Sequence, residues 1–190
     1  NTSKDVPAKA YEVSEALMSL YAQVDIKGNV GSAELTGNFG VLAQNTEQKS
    51  RGLVNLASYP VVQEYHVEGA NYWDVLPSLN LNLRFPSDFV IRFAAAREIQ
   101  RPRLDDLKVS REYSYNIAGN YISGSGGNPQ VRPYRAWALD LNFEKYFGSK
   151  GYIGLQLFYK NFDSYIYRAP EAFDYTGLPI TVPPGTTINW

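Results

Sequence analysis

Residues 138–160 read Ala138-Leu139-Asp140-Leu141-Asn142-Phe143-Glu144-Lys145-Tyr146-Phe147-Gly148-Ser149-Lys150-Gly151-Tyr152-Ile153-Gly154-Leu155-Gln156-Leu157-Phe158-Tyr159-Lys160. Leu139, Leu141 and Phe143 alternate with Asp140, Asn142 and Glu144. After the break at Gly148–Gly151, Ile153, Leu155, Leu157 and Tyr159 alternate with Gly154, Gln156, Phe158 and Lys160. A period of two puts successive side chains on opposite faces of a strand, so two such runs around a Gly-bounded break predict a β-hairpin with one charged face.

The same pattern recurs upstream. Leu79, Leu81, Leu83 and Phe85 alternate with Asn80, Asn82 and Arg84. Beyond Pro86-Ser87-Asp88, Phe89, Ile91, Phe93 and Ala95 form one face, with Arg92 and Arg97 breaking the hydrophobicity. Earlier still, Ala16, Met18, Leu20, Ala22, Val24 and Ile26 alternate with Leu17, Ser19, Tyr21, Gln23 and Asp25, and a Gly-containing turn precedes Leu35, Gly37, Phe39, Val41 and Ala43. Tyr11–Leu20 contains helix formers but runs without a break into the alternating stretch, and it reads as strand. The expectation is an all-β antiparallel up-and-down meander of about six strands. Short turns at Lys27–Ala33, Phe85–Asp88 and Gly148–Gly151 alternate with long polar stretches at Asn45–Gly69, Glu98–Arg132 and Arg168–Trp190. That asymmetry is expected of a transmembrane β-barrel, with short turns at the periplasmic rim and longer loops outside. Gly119–Gln130, rich in Gly, Ser and Asn, reads as a flexible extracellular loop.

Composition agrees and excludes several classes. With 15 Tyr and 9 Phe among 190 residues the chain favours strands and interfaces. A formal net charge of -1 lacks the basic field that nucleic acid demands, so no nucleic-acid partner is expected. The absence of cysteine removes disulfides, thiolate nucleophiles and cysteine-ligated metals from consideration. No window reaches the length of a transmembrane helix, and Asn1–Ala10 lacks the basic and apolar regions of a signal peptide. A mean hydropathy of -0.32 suits barrel strands, whose alternation keeps the average low.

Residues with chemical potential are few. His66, in Glu64-Tyr65-His66-Val67-Glu68, is a single imidazole among charges and reads as solvated loop, since a metal site needs several convergent ligands. Asp105 and Asp106, adjacent on an extended chain, point to opposite faces and suit a turn or cap better than paired acid/base work. Gly124–Gly127 lacks the Lys-Ser/Thr ending of a phosphate loop. No catalytic residue, metal or cofactor is therefore assigned. Tyr146, Phe147 and Tyr152 flank a short turn where a lipid-interface girdle is expected. In the long loops Tyr113, Tyr115, Tyr121, Tyr175 and Trp190 offer flat rings for sugars or an aromatic chelate. Polar strand residues Arg84, Arg92, Asp140, Asn142, Glu144, Gln156 and Lys160 are expected to line a lumen. The ligand-binding candidates are Tyr113, Tyr115, Tyr121, Arg92, Asp140 and Glu144.

Four local patterns resemble the C-terminal barrel region of TonB-dependent outer-membrane receptors, particularly the branch that includes carbohydrate-uptake members. They are Gly37-Asn38-Phe39-Gly40-Val41 followed by Thr46; Leu76-Pro77-Ser78-Leu79-Asn80; Arg97 through Arg101-Pro102 to Asp105, Asp106 and Leu107; and Gly127-Asn128-Pro129 through Pro133 to Asp140, Leu141, Glu144, Tyr146 and Phe147. They occur in the family's order across most of Tyr11–Arg168, with departures at Leu42, where the family often has Arg, and at Val61–Glu68. The resemblance implies a Gram-negative outer-membrane importer with a barrel of about 22 strands and a plugged lumen. Its implied partners are outer-membrane lipid, a small-molecule nutrient, carbohydrate ahead of ferric siderophore, and the TonB complex through a plug. On this reading residues 1–190 are a partial barrel without plug or final strand, and the excised segment self-associates. The rival expectations are a soluble all-β binding module whose apolar face is a sandwich core, and a β-rich hydrolase, which lacks a recognisable nucleophile-base pair.

Overall fold

The computed structural model describes residues 10–55, 63–116, 121–148, 150–170 and 172. Eight strands follow in chain order: β1 (Tyr11–Val30), β2 (Ala33–Asn55), β3 (Gln63–Arg84), β4 (Phe89–Gln100), β5 (Arg111–Asn116), β6 (Tyr121–Gly126), β7 (Tyr134–Phe147) and β8 (Gly151–Ser164), with a 3-10 turn at Leu104–Leu107. Six of them form one antiparallel sheet in the order β1-β2-β3-β4-β7-β8, and β5-β6 form a separate hairpin inserted between β4 and β7. The sheet is open, with β1 and β8 at its edges.

Register sorts the side chains onto two faces. Leu81 lies beside Phe93, Phe93 beside Leu141, and Leu141 beside Leu157. Val41 lies beside Pro77 and Ala22. The apolar sets of all six strands therefore merge into one continuous outer face that nothing in the sheet covers: Leu20, Val24, Trp73, Leu155 and Leu157 are each more than half exposed. A band of this kind calls for an apolar cover, as the lipid gives to barrel strands. The opposite, inner face carries Asp25, Asn38, Asn80, Arg92, Asp140, Asn142, Glu144 and Gln156, interrupted by Leu42, Leu76 and Phe158.

The strands outrun the band. β2 has 23 residues, roughly 75 Å at about 3.3 Å per residue, whereas a membrane crossing takes about 9 to 11. Its outer face switches from Leu35, Gly37, Phe39, Val41 and Ala43 to Asn45, Glu47, Lys49 and Arg51, so the band ends at Ala43. Trp73 pairs with Asn45 at this boundary, and Trp137 and Tyr159 sit on the outer face of β7 and β8, where an aromatic girdle belongs. Above it β1, β2 and β3 stand out from the membrane as a three-stranded blade.

Several expectations change accordingly. Asn45–Gly69 is not one long loop: β2 continues to Asn55 and β3 begins at Gln63, which places His66 in a strand opposite Gly52. The first turn is Gly31-Ser32, tighter than Lys27–Ala33, because β1 and β2 pair to Val30↔Ala33. Within Gly119–Gln130, Tyr121–Gly126 is strand β6 and not flexible loop; residues 119 and 120 lie outside the described residues. Asp105 and Asp106 belong to the 3-10 turn and not to extended chain. Of the three aromatics at the β7–β8 turn only Phe147 lies on the outer face. Tyr146 and Tyr152 lie inward, stacked at 5.9 Å, because Tyr146 shares the parity of Glu144. The Phe85–Asp88 turn stands as read, closed by Phe85 N–H to Phe89 O at 2.8 Å, with Asp88 in the left-handed region at φ 58°.

Candidate functional site

The β3–β4 ladder stops at Ser78↔Ala96. Pro77, next along β3, has no N–H to extend it, and above this point β4 pairs only with β7. The separation frees the chain beyond Gln100 to fold across the inner face of the blade. Arg101 reaches Gln44 with a hydrogen bond, Leu107, Val109 and Ser110 are buried, and Val109 lies against Gly52 of the wall. The returning chain, from Gly127 to Pro133, lies beside the outgoing one: Asn128 N–H donates to Asp106 O at 2.7 Å. Residues 101–110 and 127–133 are thus the two arms of a strap that carries the β5–β6 hairpin at its end.

The strap is fastened by side chains of β2. Gln48, 1% exposed, donates both amide hydrogens, to Pro129 O at 2.7 Å and Val131 O at 2.8 Å, and accepts from the Tyr72 hydroxyl at 3.2 Å. A carboxamide has two donors, so both are used. Ser50 Oγ accepts from Val109 N–H at 2.9 Å. Burial holds the Tyr72 phenol above its ordinary pKa, so it remains a donor at neutral pH. Beside it Arg135 of β7 reaches past β4 to Asp74 of β3, Nε to Oδ1 2.6 Å, with its guanidinium 5.8 Å from the Tyr72 ring centre.

Gly127 explains part of a motif that sequence could only quote. A Cβ there would lie 2.4 Å from Asp106 O and 2.8 Å from both Lys108 N and O, so the arms meet backbone to backbone. Gly127→Ala is expected to push them apart at a cost of about 1–3 kcal/mol and to leave residues 101–133 open to protease in the folded barrel. Equal protease resistance in variant and parent would count against the close approach.

A second polar group lies near the short-turn rim. Arg92 donates to Glu144 from Nε at 2.9 Å and Nη2 at 3.4 Å, and from Nη1 to Asn82 at 3.0 Å; Tyr146 donates to Glu144 at 2.7 Å. Farther up, Gln156 donates to Asp140 at 3.4 Å and Lys160 pairs with Glu98 at 2.6 Å. The six sequence candidates therefore do not form one site. Arg92 and Glu144 are bonded to each other and Asp140 lies on the same face. Tyr113 and Tyr115 are on β5 and Tyr121 on β6, at the far end of the strap. Tyr121 is half exposed. Tyr175 and Trp190 lie outside the described residues.

Sequence reasoning missed Gln48, Ser50, Tyr72, Asp74 and Arg135. Above the band both faces of β2 are polar, so Gln44, Thr46, Gln48 and Ser50 alternate with Asn45, Glu47, Lys49 and Arg51 and leave no amphipathic signal.

A meander with a lipid-type outer band, a hydrogen-bonded polar inner face and an inward-folded strap defines the wall of an outer-membrane type β-barrel. The family model described as TonB dependent receptor-like, beta-barrel, matches residues 2–189, and the chain belongs to that family. This is a family of outer-membrane receptors and transporters in Gram-negative bacteria, not of enzymes. No curated protein and no solved structure gives a match.

Proposed function

We propose that this chain forms part of the barrel wall of an active nutrient importer in the Gram-negative outer membrane. Ligand meets the β5–β6 hairpin with Tyr113, Tyr115 and Tyr121 first, then the inner polar groups Arg92, Asp140 and Glu144. Energy comes from the TonB complex acting through a plug against the inner face, and no covalent chemistry is involved. The observation that carries this reading is the segregation of faces along all six long strands, which suits one face to lipid and the other to a polar lumen. Because Arg92 and Glu144 already satisfy each other, their expected role is to hold the inner surface against the plug, with Asp140 the freer group for ligand. Carbohydrate is placed ahead of ferric siderophore on the family branch the motifs resemble. Cut out of its barrel, the chain would self-associate through the free edges of β1 and β8.

The chain has no cysteine, so single cysteines in the full-length receptor report cleanly. In intact cells, Leu141→Cys is expected to resist a charged maleimide, while Asn142→Cys one residue away reacts once the outer membrane is permeabilised. Uptake of a labelled linear glucose oligosaccharide should collapse when the proton-motive force is dissipated. Equal labelling at both positions would sink the wall assignment; energised uptake of a ferric tris-catecholate in place of the oligosaccharide would overturn the sugar preference.

A further inference from the structure

We infer that Gln48 is a positioning residue for the ligand-facing hairpin, because its carboxamide clamps the returning arm of the strap to the wall and, through the backbone bond that joins the two arms, helps make residues 101–110 and 127–133 a fixed part of the barrel and not a gate. The inference deepens the importer reading and rests on it only for what the hairpin meets. Three independent features support a fixed strap. Gln48 spends its entire donor capacity on the returning arm, and its acceptor is held by Tyr72. The outgoing arm is tied separately, by Val109 N–H to Ser50 Oγ, and packs Val109, 5% exposed, against Gly52 of the wall. The two arms are also joined to each other, with Gly127 in backbone contact with Asp106 and Lys108. Lifting the strap would expose Val109 to water and leave the Gln48 amide and the Ser50 hydroxyl to be resolvated together. A gate that opens each turnover needs looser attachments than these.

The fixed strap also gives the pore its geometry. It covers the inner face of β2 from Gln44 to Gly52, so a ligand passing this level meets the strap and its hairpin and not the β2 wall.

The test uses the full-length receptor in a bilayer, with hydrogen exchange read over residues 101–110 and 127–133. Gln48→Glu keeps the shape but removes both donors. It and Gln48→Ala are expected to speed exchange at Val109 and Asn128 by about tenfold or more, while the amides of β7 are unchanged. A Cβ on Gly52 would stand 3.1 Å from Val109 Cγ1, so the pair Gly52→Cys and Val109→Cys is placed to form a disulfide between wall and strap. In the Gln48→Ala background this cross-link should restore slow exchange, and in the parent it should leave uptake of the labelled oligosaccharide, or of the ferric tris-catecholate, unaltered. Unchanged exchange in both Gln48 variants overturns the clamp. Loss of uptake on cross-linking, regained with reductant, overturns the fixed strap in favour of a moving gate. A parent receptor that takes up neither probe counts against the importer reading alone, since exchange decides the clamp without any ligand.

Discussion

Leu141→Arg is expected to destabilise the barrel by about 2–4 kcal/mol, the cost of arginine at the depth of the bilayer midplane. Leu141 is central on the outer face of β7, flanked in register by Phe93 and Leu157, with apolar residues two positions to either side along its own strand. An arginine side chain there has no short path to either interface, and no acidic residue on the outer face lies beside it. The control is one strand over: Gln156→Arg, on the inner face of β8 and already in contact with Asp140 at 3.4 Å, places the same charge beside a carboxylate and is expected to fold as well as the parent. Urea unfolding in lipid bilayers measures both. Similar losses for the two variants would mean that the faces are assigned wrongly.

Asp74→Ala should cost about 3 kcal/mol, near the lower end for breaking a buried ion pair by removing one partner. Asp74 has a side chain 3% exposed and Arg135 one 18% exposed, so the arginine left behind is largely, though not fully, shut off from water. The loss extends beyond one bond. With β4 paired to β7 at this height, Arg135–Asp74 is a direct side-chain tie between β7 and β3, and it lies against Tyr72, the partner of Gln48. Replacing both members by apolar residues, Asp74→Leu with Arg135→Met, should recover part of the loss, because the uncompensated charge is then gone. A change of less than about 1 kcal/mol for Asp74→Ala would place this pair with ordinary surface bridges. The exposed Lys160–Glu98 pair is one such bridge, with side chains 42% and 48% exposed.

The family motifs take on physical meaning in the folded chain. Leu76-Pro77-Ser78 ends a ladder, Arg101-Pro102 begins the strap, and Gly127-Asn128-Pro129 closes it against Asp106 while offering the Pro129 carbonyl to Gln48. The last two segments are about twenty-five residues apart in sequence and are drawn together by the bond from Asn128 N–H to Asp106 O. None of the partnerships shows in the motifs themselves, since the groups that meet are mostly backbone atoms.

What the sequence by itself determined is everything governed by the lipid band. Where one face must be apolar and the other polar, the period of two is visible, and the strands around Leu20, Phe39, Leu81, Phe93, Leu141 and Leu157, with the tight turns at Phe85–Asp88 and Gly148–Gly151, followed from it. Their antiparallel order followed from the short turns. Tertiary structure alone decided what lies beyond the band. There the outer face meets water and the inner face meets the polar backbone of the strap, so β2 and β3 continue as polar strands without a hydrophobic pattern, and a Gly- and Ser-rich segment becomes a hairpin. Its neighbours dock because a wall glutamine and a serine bond their backbone. Such contacts depend on long-range pairing and backbone carbonyls, which residue types in order do not encode locally.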